Sequence, residues 1–146
     1  MKTYDPAMHT AEHILNQTMV RMFDCGRCFS AHIEKKKSKC DYHFDRPLED
    51  AEIAEIVERV NSIIEDDLPV TETWMPLTEA ESRFDLKRLP DGSNQNIRII
   101  RIGEYDACPC IGDHVDRTGH IGRFRITSTG FENGTLRIRY KLTPAA

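Results

Sequence analysis

Four residues carry the chemistry that this chain could perform. Cys110 and His114 form a Cys-x3-His pair inside Ala107-Cys108-Pro109-Cys110-Ile111-Gly112-Asp113-His114-Val115, and His9 and His13 stand four apart near the other end. On a helix, that spacing puts both imidazoles on one face, one turn apart. One thiolate and three imidazoles make a four-donor set of the kind Zn2+ prefers. With six His and five Cys among 146 residues, either pair alone is unspecific. An ordinary polar helix face and a buried small thiol account for them equally well. The set becomes a site only if the fold brings residues 9–13 against residues 110–114.

The elements that must do this follow from the apolar pattern. His9, His13, Leu15, Met19, Met22 and Phe23 recur at helical spacing, which predicts a helix over 7–23, delayed by Asp5-Pro6 and stopped near Asp24-Cys25-Gly26. Residues 30–33 and 38–44 read as two short strands around a lysine-rich turn. In the second, Cys40, Tyr42 and Phe44 alternate with Asp41, His43 and Asp45. Ile53, Ile56, Val57, Val60, Ile63 and Ile64 make the apolar stripe of a helix over 50–66. Strands are expected over 70–74 and 97–102, with a short helix from Leu77 to Phe84 and a turn at Asp91-Gly92-Ser93-Asn94 between them. A hairpin of 124–129 and 135–142 follows, turning through Gly130-Phe131-Glu132-Asn133-Gly134. The expected class is α+β, a single domain over residues 1–146 with two main helices packed on a largely antiparallel sheet.

Composition narrows the function. A chain of 146 residues, 39% hydrophobic and 30% charged, has the size and balance of one domain with one core. No apolar run approaches the ~20 residues that cross a bilayer, so no membrane partner is expected. Met1–Pro6 has no apolar signal-like region and the cysteines are odd in number, which together predict a reducing, cytoplasmic setting. A net charge of -4 argues against nonspecific coating of nucleic acid but allows a local basic patch. Lys35, Lys36 and Lys37 at the predicted turn, and Arg117 after His114, are candidates for phosphate contact. A solvated hairpin tip is the plainer account of the lysines.

A second ligand pattern, Cys25-x2-Cys28 with Cys40-x2-His43, has zinc-ribbon-like spacing. Cys40 and His43 sit at odd offset on one strand and so point to opposite faces, which leaves ordinary thiols as the default. Pro109 between Cys108 and Cys110 disfavours shared ligation and leaves Cys108 to packing.

The two halves of the first pattern resemble a known family. His9-Thr10-Ala11-Glu12-His13-Ile14-Leu15 is similar to the H-T-A-x-H-[IL]-L helix of the editing domains of alanyl- and threonyl-tRNA synthetases and of free-standing AlaX-type trans-editing proteins. Ser30-Ala31-His32-Ile33 resembles the family's S-x-H-hydrophobic strand. Cys110-Ile111-Gly112-Asp113-His114-Val115 resembles its C-G-G-T-H-V segment, and Thr118-Gly119-His120-Ile121-Gly122 its T-G-E-I-G. Four segments in the family's order, spread over nearly the whole chain, are more specific than either ligand pair. The departures are Ile111 where the family has glycine, Asp113 where it has threonine, and His120 where it has glutamate.

The resemblance implies an editing-domain fold that hydrolyses the ester of mischarged aminoacyl-tRNA, held by its acceptor end. In alanyl-type members the residues matching His9, His13, Cys110 and His114 bind zinc; threonyl-type members use the same constellation without tightly bound metal. Zinc polarises a carbonyl, orients substrate or lowers the pKa of water, and with four protein ligands orientation is the expected role. Thr10 and His32 are the candidates to meet the amino acid or the attacking water. Asp113 is a candidate to receive the substrate's α-ammonium or to act as a base. A polar pocket that selects a hydroxyl fits removal of serine from tRNA for alanine. Two other classes stay open: a zinc-stabilised tRNA-binding module whose altered loop marks lost catalysis, and a metallohydrolase on a small ester or amide.

Overall fold

The computed structural model describes residues 5–84 and 96–144. Asp5 and Pro6 start the first helix rather than delaying it. Pro6 takes a position where its missing N–H is no loss, and the Asp5 carboxylate accepts from Met8 N at 3.1 Å. Helix α1 therefore spans Pro6–Phe23 and stops at Asp24, whose φ of 53° is left-handed. Every residue from Met8 to Asn16 is buried. A helix covered on all sides needs partners on all sides, and its polar residues need hydrogen bonds there. Tyr42 donates to Asn16 Oδ1 at 2.7 Å, Tyr140 donates to the Met8 carbonyl at 3.1 Å, and Gln17 donates to Asp106 at 2.9 Å.

Strands β1 (Ser30–Ile33) and β2 (Ser38–His43) form the expected hairpin. Cys40 and Tyr42 are wholly buried in it, as the alternation predicts. Asp41, expected on the polar face, is also buried, because Arg137 clamps its carboxylate at 2.8 and 2.9 Å. Helix α2 (Asp50–Glu65) begins in a capping box between Glu49 and Glu52. Its Asn61 side chain accepts from Phe124 N and donates to Phe124 O, each at 2.9 Å, tying the helix to a strand.

Strand β3 (Val70–Pro76), helix α3 (Leu77–Arg83), β4 (Asn96–Ile102) and β5 (Asp106–Pro109) come next, then a 3-10 turn at Thr118–His120, β6 (Arg123–Glu132) and β7 (Thr135–Thr143). The turn expected at Asp91-Gly92-Ser93-Asn94 lies outside the described residues. The class is α+β, but the strands form two antiparallel sheets where one was expected: β1-β2-β7-β6 and β3-β4-β5. Strand β4 explains the second. Ile97 and Ile99 pack with Met75 and Ala80, while Ile102 joins the main core around α1, so both faces are covered. Strand β5 was not expected at all. The last hairpin also differs, because β6 continues through Gly130–Glu132 and the turn is only Asn133-Gly134, with φ of 49° and 78°. No helix among the described residues is long and apolar enough to cross a membrane.

The Thr118–Gly122 segment packs the loop after His114 onto the end of α2. Thr118 Oγ1 donates to Ile63 O at 2.7 Å and accepts from Leu68 N at 2.8 Å. Gly119 lies so close to Asp67 that a Cβ there would collide with the carboxylate that accepts its N–H.

Candidate metal centre

The fold brings the two ends of the sequence together. One ligand atom from each of His9, His13, Cys110 and His114 lies within 4.8 Å of the others. Helix α1 supplies the first two, one turn apart, and the loop leaving β5 supplies the others. The rings crowd, with centroids 4.3 Å apart for His9 and His114 and 4.7 Å for His13 and His114. Cys110 Sγ is 3.3 Å from His9 Nε2.

Each histidine is held by its Nδ1. The Asp113 carbonyl, which can only accept, sits 3.2 Å from His9 Nδ1. The Asp106 carboxylate sits 3.4 Å from His13 Nδ1 and is itself gripped by Arg27 at 2.7 and 3.2 Å. Thr10 Oγ1 gives its proton to the Pro6 carbonyl at 2.8 Å, so it accepts from Val115 N at 3.1 Å and from His114 Nδ1 at 3.3 Å. With Nδ1 protonated in all three rings, the Nε2 lone pairs are the ones turned toward the centre. His114 Nε2 is buried and has no hydrogen-bond partner. A buried acceptor left bare is costly, and a cation among these donors satisfies it. The donor set suits zinc: three imidazoles and a sulfur.

Neighbouring groups shift the members of the set: burial lowers His13, but Asp106, Cys108 and Cys110 outweigh it and raise it well above its usual value. Burial raises the Cys110 thiol, but the adjoining His114, His13 and His9 rings outweigh it and bring its pKa down to about 3, toward the thiolate form that ligates a metal. Burial lowers His114 to about 4, with His13 and His9 adding to the shift and Cys110 opposing it, so its ring is neutral. Burial raises Asp106 too, yet His13 and Arg27 hold it well below the usual carboxylate range.

Residues 97–139 match the family described as threonyl and alanyl tRNA synthetase second additional domain. The alanine–tRNA ligase of Treponema denticola is 32% identical over 135 residues, which are 91% of this chain and 22% of that protein. That of Halorubrum lacusprofundi is 34% identical over 147 residues, 96% of this chain and 16% of the ligase. That of Methanopyrus kandleri is 31% identical, covering 94% and 16% respectively. The chain is a relative of the synthetases' second additional domain. It spans 16 to 22% of the length of these three ligases.

The other residues singled out in the sequence fall at several places in the fold. Thr10 is fully buried, and its three hydrogen bonds make it the residue that sets His114 and Val115. The Asp113 side chain is exposed beside the centre while its carbonyl meets His9. His32 is exposed on β1, with Nε2 3.1 Å from Glu34, and no described hydrogen bond joins it to the four ligands. Lys35, Lys36 and Lys37 are exposed at the β1–β2 turn. Arg117 binds Asp67, its Nε 3.0 Å from Oδ2.

Two groups escaped the sequence reading. Asp106 and Arg27 hold His13, and the only signal was that Asp106, Cys108 and Cys110 sit two apart, hence on one face if the segment is a strand. The zinc-ribbon-like pattern is split. Cys28 and Cys40 meet Glu12, their ligand atoms within 4.8 Å of one another, all three buried. Cys25 instead contacts the Met19 and Gly26 carbonyls, and His43 stacks on Phe29 with centroids 4.0 Å apart.

Proposed function

We propose that this protein is a trans-editing hydrolase that cleaves the ester of mischarged aminoacyl-tRNA at a zinc-binding His9, His13, Cys110, His114 centre. The observation that carries the reading is the buried, bare His114 Nε2 within a Cys/His3 set, in a relative of a synthetase domain. A zinc ion bound there would orient and polarise the ester carbonyl. The chain's own residues do the rest. Thr10, Asp106 and the Asp113 carbonyl fix the three rings, so the donors are set before substrate arrives. The exposed Asp113 carboxylate receives the α-ammonium of the amino acid. The exposed lysines 35–37 meet phosphates of the acceptor end, and Arg117 does so only by leaving Asp67. His32 meets substrate only across the rim, since it faces solvent. Serine on tRNA for alanine is the substrate that the reading favours. The cytoplasm, where aminoacyl-tRNA is made, is its setting.

Ile111 favours a second reading. It is 59% exposed on the ligand loop, where bulk narrows the approach, as in a tRNA-binding module that has lost catalysis. Deacylation of Ser-, Gly- and Ala-charged tRNA for alanine, and of Ser- and Thr-charged tRNA for threonine, separates the two. Selective hydrolysis of Ser-tRNA(Ala), abolished by Cys110→Ala, is the expected result. Salt-dependent tRNA binding with unchanged ester half-lives would establish the binding module instead.

A further inference from the structure

A row of side chains crosses the three-stranded sheet beside the centre. Trp74 on β3 pairs with Arg98 on β4. Ile99 pairs with Pro109, and one step further Cys110 N donates to the Arg98 carbonyl at 3.2 Å. Directly opposed residues of antiparallel strands share a face. Trp74, Arg98 and Cys110 therefore line one face in order, the Trp74 backbone two strand spacings, about 10 Å, from that of Cys110. Arg98 is held in the row, its Nε 2.6 Å from Glu72 Oε2 and its Nη1 donating to the Gly112 carbonyl at 2.9 Å. That second bond belongs to the ligand loop itself. Trp74 is the chain's one tryptophan and is 60% exposed.

We propose that the Trp74 indole is the stacking platform for the terminal adenine of aminoacyl-tRNA, an inference that rests on the hydrolase reading for its ligand. In such a substrate the ester and the adenine lie on opposite sides of one ribose. An ester carbonyl at Cys110 leaves the ribose over Arg98 and carries the base to Trp74. Exposed aromatic faces bind unpaired bases by stacking, without a hydrogen-bond code. The Glu72 carboxylate does not oppose this, because Arg98 neutralises it. Stacking would add to the affinity that exposed cations supply.

The lone tryptophan makes the test direct. Its fluorescence is titrated with 3′-deoxy-3′-(L-seryl)aminoadenosine, an amide that resists hydrolysis, and with the cytidine counterpart. Ser-tRNA(Ala) hydrolysis is then measured for wild type, Trp74→Ala and Trp74→Phe, with circular dichroism confirming the fold. The expected result is saturable quenching by the adenosine compound and much weaker quenching by cytidine. Trp74→Ala should raise KM about tenfold with kcat unchanged, and Trp74→Phe should restore most of the loss. Unchanged fluorescence at millimolar adenosine compound, or a KM within twofold in Trp74→Ala, overturns the platform even if Ser-tRNA(Ala) is hydrolysed. Quenching in a protein that hydrolyses no aminoacyl-tRNA upholds the platform and sinks the hydrolase reading.

Discussion

Glu12 and His13 are neighbours on α1, yet they serve two different clusters. His13 joins a set whose rings are all pinned through Nδ1, so their Nε2 lone pairs converge and one has no partner in the protein. Glu12 joins Cys28 and Cys40, where the Cys28 thiol donates to the carboxylate at 3.4 Å and Tyr42 and Tyr140 belong to the surrounding core. Glu12 Oε1 also lies 3.6 Å from His9 Nε2, so the clusters touch. Both contain residues that bind metals. The difference is in what surrounds them: donors fixed from behind and opening on a loop in one, a thiol satisfied by a carboxylate inside the core in the other. Ligand types describe a candidate, and the bonds behind them decide whether it is set for an ion.

The largest contrast should come from two cysteine substitutions. Cys110→Ala should abolish deacylation and bring zinc, measured by mass spectrometry of dialysed protein, from near one per chain to near none. Cys40→Ser should leave zinc content as it was; equal loss in both variants would break the comparison. Asp106→Asn comes next, and should weaken zinc affinity about 10–100-fold in a chelator competition, since His13 loses its anchor. The same variant tests acid stability. A carboxyl whose folded pKa is depressed stabilises the fold above the unfolded value near 4, and the contribution is lost as pH falls through the folded value. Wild type should therefore lose stability progressively in urea melts below about pH 4, whereas Asp106→Asn should start lower at neutral pH and fall less.

Cys40→Ser should cost about 1–3 kcal/mol in urea unfolding, because a hydroxyl replaces a wholly buried thiol. A variant as stable as wild type would mean that the second cluster tolerates polar groups and is not simply core. The smallest effect belongs to Lys35, Lys36 and Lys37. Changing them together to alanine should flatten the salt dependence of tRNA binding by about one log-log unit per lost phosphate contact, with kcat unchanged.

The sequence shows the site better than it shows what supports the site. His9 and His13 are readable because four residues is a local distance on a helix, and α1 begins within one residue of the expected start. Their meeting with Cys110 and His114 is a contact across the whole chain, and only the resemblance of four segments pointed to it. Strand β5 was unreadable because four residues ending in Pro109 carry no periodicity, and with it Asp106 was lost. Gly130 looked like a turn residue, but pairing of Phe131 with Leu136 keeps the strand going to Glu132. The Cys25-x2-Cys28 spacing says little, because the partner of Cys28 is chosen by burial beside α1, which no local count reveals.

The all-round burial of α1 has a kinetic consequence. Backbone that opens only with the whole molecule exchanges its amide hydrogens slowest, while irregular surface loops open alone. His9 and His13 are thus expected in the last part of the protein to let go, whereas Cys110 and His114 lie on an irregular loop held by a few hydrogen bonds, which should open first. An ion at the centre would enter and leave through excursions of that loop, two ligands at a time. The residence time of an ion held there would be set by the hydrogen bonds that tether residues 110–115 to Arg98 and Thr10, rather than by the stability of the fold as a whole.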